Sequence, residues 1–217
     1  MESNVEKVVR DAKKLVDSFG AEGNQQIMKV VAVLFRLLSD GKPVQPERVA
    51  SSLNLPVSEA TSLIKNFPTV FDQDGNLVES FGLSLNPTKH SLVIGDKRLY
   101  AWCGVDTIAL PIFIKKKARI ESPDPITGKK ITLLVSPERV EEVEPSTAVV
   151  TWISPDVAGQ ATAAGTKGSI CRYQNFFGSD ESASKYISEN PGVFVVKPSD
   201  VFDAMNSALT PYRDIWG

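Results

Sequence analysis

The sequence predicts an α+β protein: a helical N-terminal domain over residues 1–85, followed by a mainly antiparallel β-sheet domain with flanking helices over residues 86–217. Three observations predict it. Up to residue 66, apolar side chains recur at helical spacing. From Ser91 onward, short alternating or β-branched runs are separated by Gly, Pro and Asp turns. At 217 residues and 42% hydrophobic content, the chain has enough apolar surface for a packed core without disulfide staples.

In chain order, Val5, Val8, Val9, Ala12, Leu15, Val16 and Phe19 form one apolar stripe on a helix over 4–19 that Gly20 closes. Gln25 to Leu38 is more apolar, a core helix ended by Asp40-Gly41. Pro46–Ser52 and Ser58–Asn66 read as two short helices about Asn54-Leu55-Pro56, with Ser58 as N-cap. A hairpin follows, turning at Asp74-Gly75 and returning through Leu77 to Leu85. This is the order of a winged helix-turn-helix. Its charge argues against DNA: residues 43–80 hold two basic side chains, Arg48 and Lys65, and five acidic ones, Glu47, Glu59, Asp72, Asp74 and Glu79. The domain is therefore expected to cap the second one.

Ser91 to Trp102 alternates about a Gly95-Asp96 turn, a hairpin signal. Gly104 to Leu110 is a short apolar helix ended or kinked by Pro111. Ala118–Glu121 and Ile131–Val135 pair across a Pro- and Gly-containing loop. Ser136-Pro137-Glu138 reads as a helix start, and Thr147–Ile153 as a strand. Residues 154–168, rich in small side chains, read as a mobile loop and a candidate lid. Ser169–Phe177 is expected to be a strand with Cys171 near its start. A helix over Ser179–Asn190, a strand over Val193–Val196 and a last helix over Val201–Leu209, capped by Ser199 or Asp200, complete the chain.

A formal net charge of −2 leaves no electrostatic footprint for nucleic acid or an anionic membrane. No apolar run reaches membrane-spanning length, and the start, Met-Glu-Ser-Asn-Val-Glu, lacks signal-peptide character, so a cytoplasmic location is expected. Two cysteines in a reducing compartment point to separate thiols or a shared soft-metal site rather than a disulfide. With one histidine, His90, expected to be an ordinary half-exposed residue, a zinc-site inventory is missing.

The chemistry concentrates in Arg98-Leu-Tyr-Ala-Trp-Cys-Gly-Val-Asp106. Cys103 falls where a strand hands over to a helix, so unpaired N–H groups and the helix dipole are expected to favour its thiolate. Asp106, three residues on, shares its face of the helix. Taken alone, the pair is better read as a small buried hydrophobe and an aspartate that complements the helix dipole.

The segment Arg98-Leu-Tyr-Ala-Trp-Cys-x-x-Asp-Thr107 resembles the active-site segment of the organomercurial (alkylmercury) lyases. The similarity continues through Gly82-Leu83, Asn86-Pro-Thr, Val135-Ser-Pro, Val143-Glu-Pro145, Ser169-Ile-Cys171 and Phe176-Phe177, in order and spacing from about residue 25 to 205. The resemblance implies protonolytic cleavage of a carbon–mercury bond to a hydrocarbon and Hg(II). Cys103 and Cys171 would bind mercury, and Asp106 would relay the proton and help to hold the Hg(II) product. No cofactor is implied; small thiols or a mercuric reductase would accept the metal. The N-terminal domain would be winged-helix-like without binding DNA, and the chain a monomer or weak homodimer. The departures are that many members carry a cysteine in the region of Asp124, another where Arg172 stands, and histidines at Tyr173 and Asn175. Arg172 is read either as favouring the Cys171 thiolate or as an outward residue. The alternative function is a soft-metal binder, chaperone or sensor, using the same cysteine pair; a proton donor at Asp106 is what that alternative does not need.

Overall fold

The computed structural model describes residues 2–18, 24–158 and 169–216. Two helices, α1 (Asn4–Ser18) and α2 (Asn24–Leu38), precede a short pair, α3 (Pro46–Leu53) and α4 (Val57–Lys65). Next come the strands β1 (Thr69–Phe71), β2 (Leu77–Ser80), β3 (Leu83–Ser84), β4 (His90–Ile94) and β5 (Lys97–Ala101), then helix α5 (Gly104–Ile114). Strands β6 (Ala118–Pro123), β7 (Lys130–Val135), β8 (Val140–Glu144) and β9 (Val149–Ile153) follow, with a short α6 (Pro155–Ala158). A 3₁₀ turn over Cys171–Tyr173, β10 (Phe176–Phe177), α7 (Asp180–Glu189), β11 (Val193–Val196), α8 (Pro198–Leu209) and a 3₁₀ segment over Thr210–Trp216 end the description.

The strands form a mainly antiparallel α+β framework. One sheet of eight strands runs β1-β2-β3-β5-β4-β6-β7-β8, and a smaller one runs β10-β9-β11. Local turn chemistry sets their registers. Gly95, at φ +63°, and Asp96 join β4 to β5, so that Leu92 faces Leu99. The Asp72 carboxylate accepts from the N–H groups of Asp74 and Asn76 to close the β1–β2 turn. β3 pairs with β5, Leu83 opposite Ala101, so the hairpin from the N-terminal half extends the same sheet. Strands β6 and β7 alternate buried with partly or fully exposed residues as a one-sided sheet requires, whereas β9, central in its sheet, is buried throughout.

One continuous core lies between the large sheet and helices α2, α5 and α8, with Leu34, Leu38, Leu92, Leu99, Ile108 and Phe202 at its centre. Helix α2 contributes a wide apolar face because Val30, Val31, Leu34 and Leu38 recur three and four apart. Helix α1 packs on α8 and is pinned to β9 by Asp11, which is fully buried. The Asp11 carboxylate accepts from Ser154 Oγ at 2.6 Å, Trp152 Nε1 at 3.2 Å and the Arg10 guanidinium at 3.0 Å.

Several elements differ from expectation. Ser169–Phe177 is not one strand: Tyr173 N–H turns back to Ile170 O and Gln174 N–H to Cys171 O, and only Phe176–Phe177 pairs with β9. Ser136 does use its hydroxyl to accept from Glu138 and Arg139 N–H, but this closes a turn between β7 and β8 rather than starting a helix. Helix α5 continues three residues past Pro111, because burial of an almost wholly apolar helix outweighs the one hydrogen bond that proline removes. Helix α4 starts at Val57 and α8 at Pro198, each ahead of the expected serine or aspartate cap; Pro198 takes the first helical position, where its missing N–H costs nothing. Of the candidate lid, 159–168 lie outside the described residues, as does Gly20.

The Asp11 pin gives a stability prediction. Asp11→Ala leaves the buried Trp152 N–H and Ser154 O–H unpaired, which should cost about 3 kcal/mol in a urea unfolding titration. A variant as stable as the parent chain would show that α1 is held by its apolar face alone.

Candidate active site

The site is built where β5 ends. Trp102 N–H donates to Gly82 O at 2.9 Å, fixing the strand end against the turn between β2 and β3. The chain stays extended through Cys103, which is the N-cap of α5. There the capping is reciprocal: the Cys103 thiol sulfur accepts from Asp106 N–H at 3.3 Å, and the Asp106 carboxylate accepts from Cys103 N–H at 3.1 Å. The local reading of Cys103 at a helix start, with Asp106 on its face, matches this geometry.

Cys171 arrives from the 3₁₀ turn. Its sulfur lies 3.9 Å from Asp106 Oδ2, and one ligand atom from each of Cys103, Asp106 and Cys171 falls within 4.8 Å of the others. Neither cysteine is in a disulfide. Such a set, two soft sulfurs and one carboxylate oxygen, suits a large thiophilic metal ion.

Close approach is possible only because residue 82 is glycine. Its φ is +96°, and a Cβ built there would stand 2.5–2.8 Å from the Asp106 carboxyl group. Gly104 plays a similar part on the other side: its N–H donates to Gln174 O at 2.8 Å, and a Cβ would press on the Phe176 ring at 3.1 Å. Gln174 also accepts the Cys103 thiol hydrogen at Oε1, 3.1 Å away. Trp102 Nε1 donates to the buried Glu79 carboxylate at 2.6 Å, and Asn86 donates to the other oxygen of Glu79. Gln174 and Glu79 carried no sequence signal, since their partners lie 71 and 23 residues away.

Electrostatics reverse one expectation. Burial first, then the neighbouring Cys171 and Asp106, push the Cys103 thiol well above its ordinary range. Loss of water around the fully buried sulfur outweighs the favour a helix start lends to a thiolate, so the resting thiol keeps its proton. Burial likewise pushes the Asp106 carboxyl up to about 6, although hydrogen bonds from Cys103 pull the other way. A carboxyl poised there can both take and give a proton near neutrality.

An apolar cavity of about 80 Å³ opens onto this cluster. Val31, Phe35, Phe81, Trp102 and Phe113 form much of its wall, with Asp106 and Cys171 set among them. Cys103, with no exposed surface, lies behind.

The remaining singled-out residues do other work. His90 is buried, not half-exposed: it pairs with Ala101 in the sheet, its Nδ1 lies 2.8 Å from Ser122 Oγ, and desolvation drops its pKa to about 3. Arg172 points outward and stacks on Tyr173, 4.5 Å from the ring centre. Asp124 is buried and accepts from Ile126, Thr127 and Gly178 N–H, tying the β6–β7 loop to β10. Asn175 accepts from Lys89 Nζ and donates to Arg172 O and the Tyr186 hydroxyl.

The chain is similar to known proteins. The alkylmercury lyase family model matches residues 83–209. An alkylmercury lyase of Staphylococcus epidermidis is 35% identical over 199 residues, covering 88% of this chain and 89% of that protein. One of Bacillus cereus is 34% identical, with 89% and 86% covered, and one of Pseudomonas putida 31% identical, with 88% of each covered. Among solved structures, the mercury-bound form of MerB2 superimposes with a TM-score of 0.76 at 20% identity, over 94% of this chain and 99% of that one, a match of fold.

The raised Asp106 pKa makes a signed prediction. Because the folded value, about 6, lies above the ordinary 3.8, the carboxyl's contribution is fully present below the lower value and is lost as pH rises through the higher. The gap is worth at most about 3 kcal/mol. Asp106→Asn keeps an acceptor for Cys103 N–H without the charge, so it should unfold at higher urea than the parent chain near about pH 8 and show little gain near about pH 4. Equal destabilisation at both pH values would mean that the aspartate serves only the helix.

Proposed function

This chain belongs to the alkylmercury lyase family, and we propose that it cleaves the carbon–mercury bond of alkyl- and arylmercury compounds at Cys103, Asp106 and Cys171. The observation that carries the proposal is the meeting of two thiols and a carboxyl of raised pKa at one end of an apolar cavity. The substrate is R–Hg–X, with X a thiolate or other exchangeable ligand. One protein thiol displaces X, which leaves with the thiol proton as HX. The second thiol passes its proton to the Asp106 carboxylate and joins the metal as thiolate. A thiol that binds a soft metal loses its proton outright, so the raised resting pKa of Cys103 is no obstacle once mercury is present.

Two sulfurs on mercury raise the electron density at the attached carbon. The Asp106 carboxyl then delivers its proton there, the carbon–mercury bond breaks, and R–H departs. Hg(II) stays on Cys103 and Cys171, with the regenerated Asp106 carboxylate beside it. Charge and atoms balance: one organomercurial and two thiols give one hydrocarbon, HX and a dithiolate of Hg(II). Apolar walls suit the organic group and keep bulk water from competing for the proton. Small thiols or a mercuric reductase take the metal, in keeping with a role in mercury resistance and detoxification.

Residues 1–85 act in this proposal as a winged-helix-like cover, and 86–217 as the catalytic domain. Support comes from the first part's share in the cavity wall, Val31, Phe35 and Phe81, and from the Val44–Leu77 bridge beside the β1–β2 hairpin. Nucleic acid is not the partner of α3 and α4, whose region carries more acidic than basic side chains. Among the described residues no helix is long and apolar enough to cross a membrane. A purely metal-storing role would leave the poised carboxyl unused.

The test is headspace detection of benzene or methane from phenyl- or methylmercury. Asp106→Ala should still capture the organomercurial yet release hydrocarbon roughly a hundred- to ten-thousandfold more slowly, the usual contribution of a positioned acid. Gly82→Ala, which displaces the same carboxyl, should resemble it. Hydrocarbon release at the parent rate from a folded Asp106→Ala protein would remove the aspartate from the reaction. In a separate titration followed by thiolate-to-mercury absorption, Cys171→Ser should lose the tight single-site binding of Hg(II). Full affinity in that variant would exclude the two-thiolate site.

A further inference from the structure

The two thiols are not equivalent. Cys171 shares the cavity wall with Asp106, whereas Cys103 has no exposed surface and forms no part of that wall. Cys103 is also held on several sides. Its sulfur accepts from Asp106 N–H, its N–H donates to the Asp106 carboxylate, and its thiol donates to Gln174 Oε1 at 3.1 Å. Gln174 is itself buried, 4% exposed. Its backbone carbonyl takes Gly104 N–H at 2.8 Å, and its own N–H returns to Cys171 O at 3.1 Å. One residue thus clasps both the helix end that carries Cys103 and the turn that carries Cys171.

We propose that Cys171 captures the organomercurial first, and that Gln174 is a positioning residue that holds the Cys103 thiol behind the cavity until the metal arrives as its second partner. The inference rests on the lyase reading and adds an order to it. An arriving R–Hg–X meets the sulfur in the wall, and X leaves with the Cys171 proton. Cys103 then exchanges its hydrogen bond to Gln174 for a bond to mercury, and its proton goes to Asp106. The amide oxygen of Gln174 keeps Cys103 aimed in the interval. Without it, the sulfur is free to rotate and the second ligation slows, while the first does not.

The experiment presents phenylmercury as its adduct with a chromophoric thiol and follows release of that thiol by rapid mixing, with benzene measured in parallel. Cys103→Ser should capture within about twofold of the parent rate and yield no benzene, whereas Cys171→Ser should capture at least about tenfold more slowly. Capture by Cys171→Ser at the parent rate would overturn the order. Gln174→Met, close in shape but without an acceptor of comparable strength, should capture normally and release benzene about tenfold more slowly, the effect of one lost hydrogen bond. Gln174→Glu, which keeps an acceptor oxygen at the same reach, should recover most of that loss. A Gln174→Met protein with the parent rate of benzene release, or a Glu variant with no recovery, would remove the positioning role. A parent chain that captures phenylmercury but yields no benzene defeats the lyase reading itself, and the comparison of capture rates between the two serine variants still decides the order.

Discussion

The reciprocal hydrogen bonds between Cys103 and Asp106 are what the rest of the site hangs on. In most helices the capping pair is a serine or threonine and a glutamate whose work ends at the helix end. Here the same two bonds are made by a thiol and a carboxyl, so the groups that cap α5 are also two members of the cluster with Cys171. The arrangement constrains its surroundings. Strand β5 must stop at Ala101, Trp102 must be tied to Gly82 O, and position 82 must lack a side chain so that the carboxyl can lie against it. A cap of this type contributes about 1 kcal/mol, less than the cost of keeping a buried carboxyl ionised near neutral pH.

Burial explains the chemistry as well as the cost. A thiol in water has a pKa of about 8.5 and reacts as the small thiolate fraction. Cys103, wholly enclosed, is pushed further from ionisation by the loss of water around its sulfur. In the proposed reaction a thiophilic metal supplies the driving force for deprotonation, and Asp106 takes the proton. The cavity wall is built largely from apolar residues, Val31, Phe35, Phe81, Trp102 and Phe113 among them, with Asp106 and Cys171 at the polar cluster.

Positions where the resemblance implies further cysteines or histidines are occupied here by residues with structural duties. Asp124 ties the loop after β6 to Gly178, and Asn175 joins the site's 3₁₀ turn to Lys89 and Tyr186. Arg172 and Tyr173 stack on one another at the surface. The cluster of Cys103, Asp106 and Cys171 therefore stands without auxiliary thiols, the chain having only two cysteines.

By itself the sequence determined what depends on neighbours within a few residues. The Gly95-Asp96 and Asp74-Gly75 hairpins, the helix start at Cys103 and the placing of Asp106 three residues on follow from turn and capping chemistry, which acts over one turn of chain. The motif around Cys103 named the family for the same reason, because its spacing is local. Tertiary structure decided what depends on distant partners. It turned Cys171 inward on a 3₁₀ turn where alternation read as a strand, carried α5 through Pro111, buried His90 against Ser122, and put Gln174 on the Cys103 sulfur. It also reversed the charge preference of that sulfur. Local spacing registers a favourable helix end, but the larger opposing effect is removal of water by elements tens of residues away, and only the packed chain brings those together.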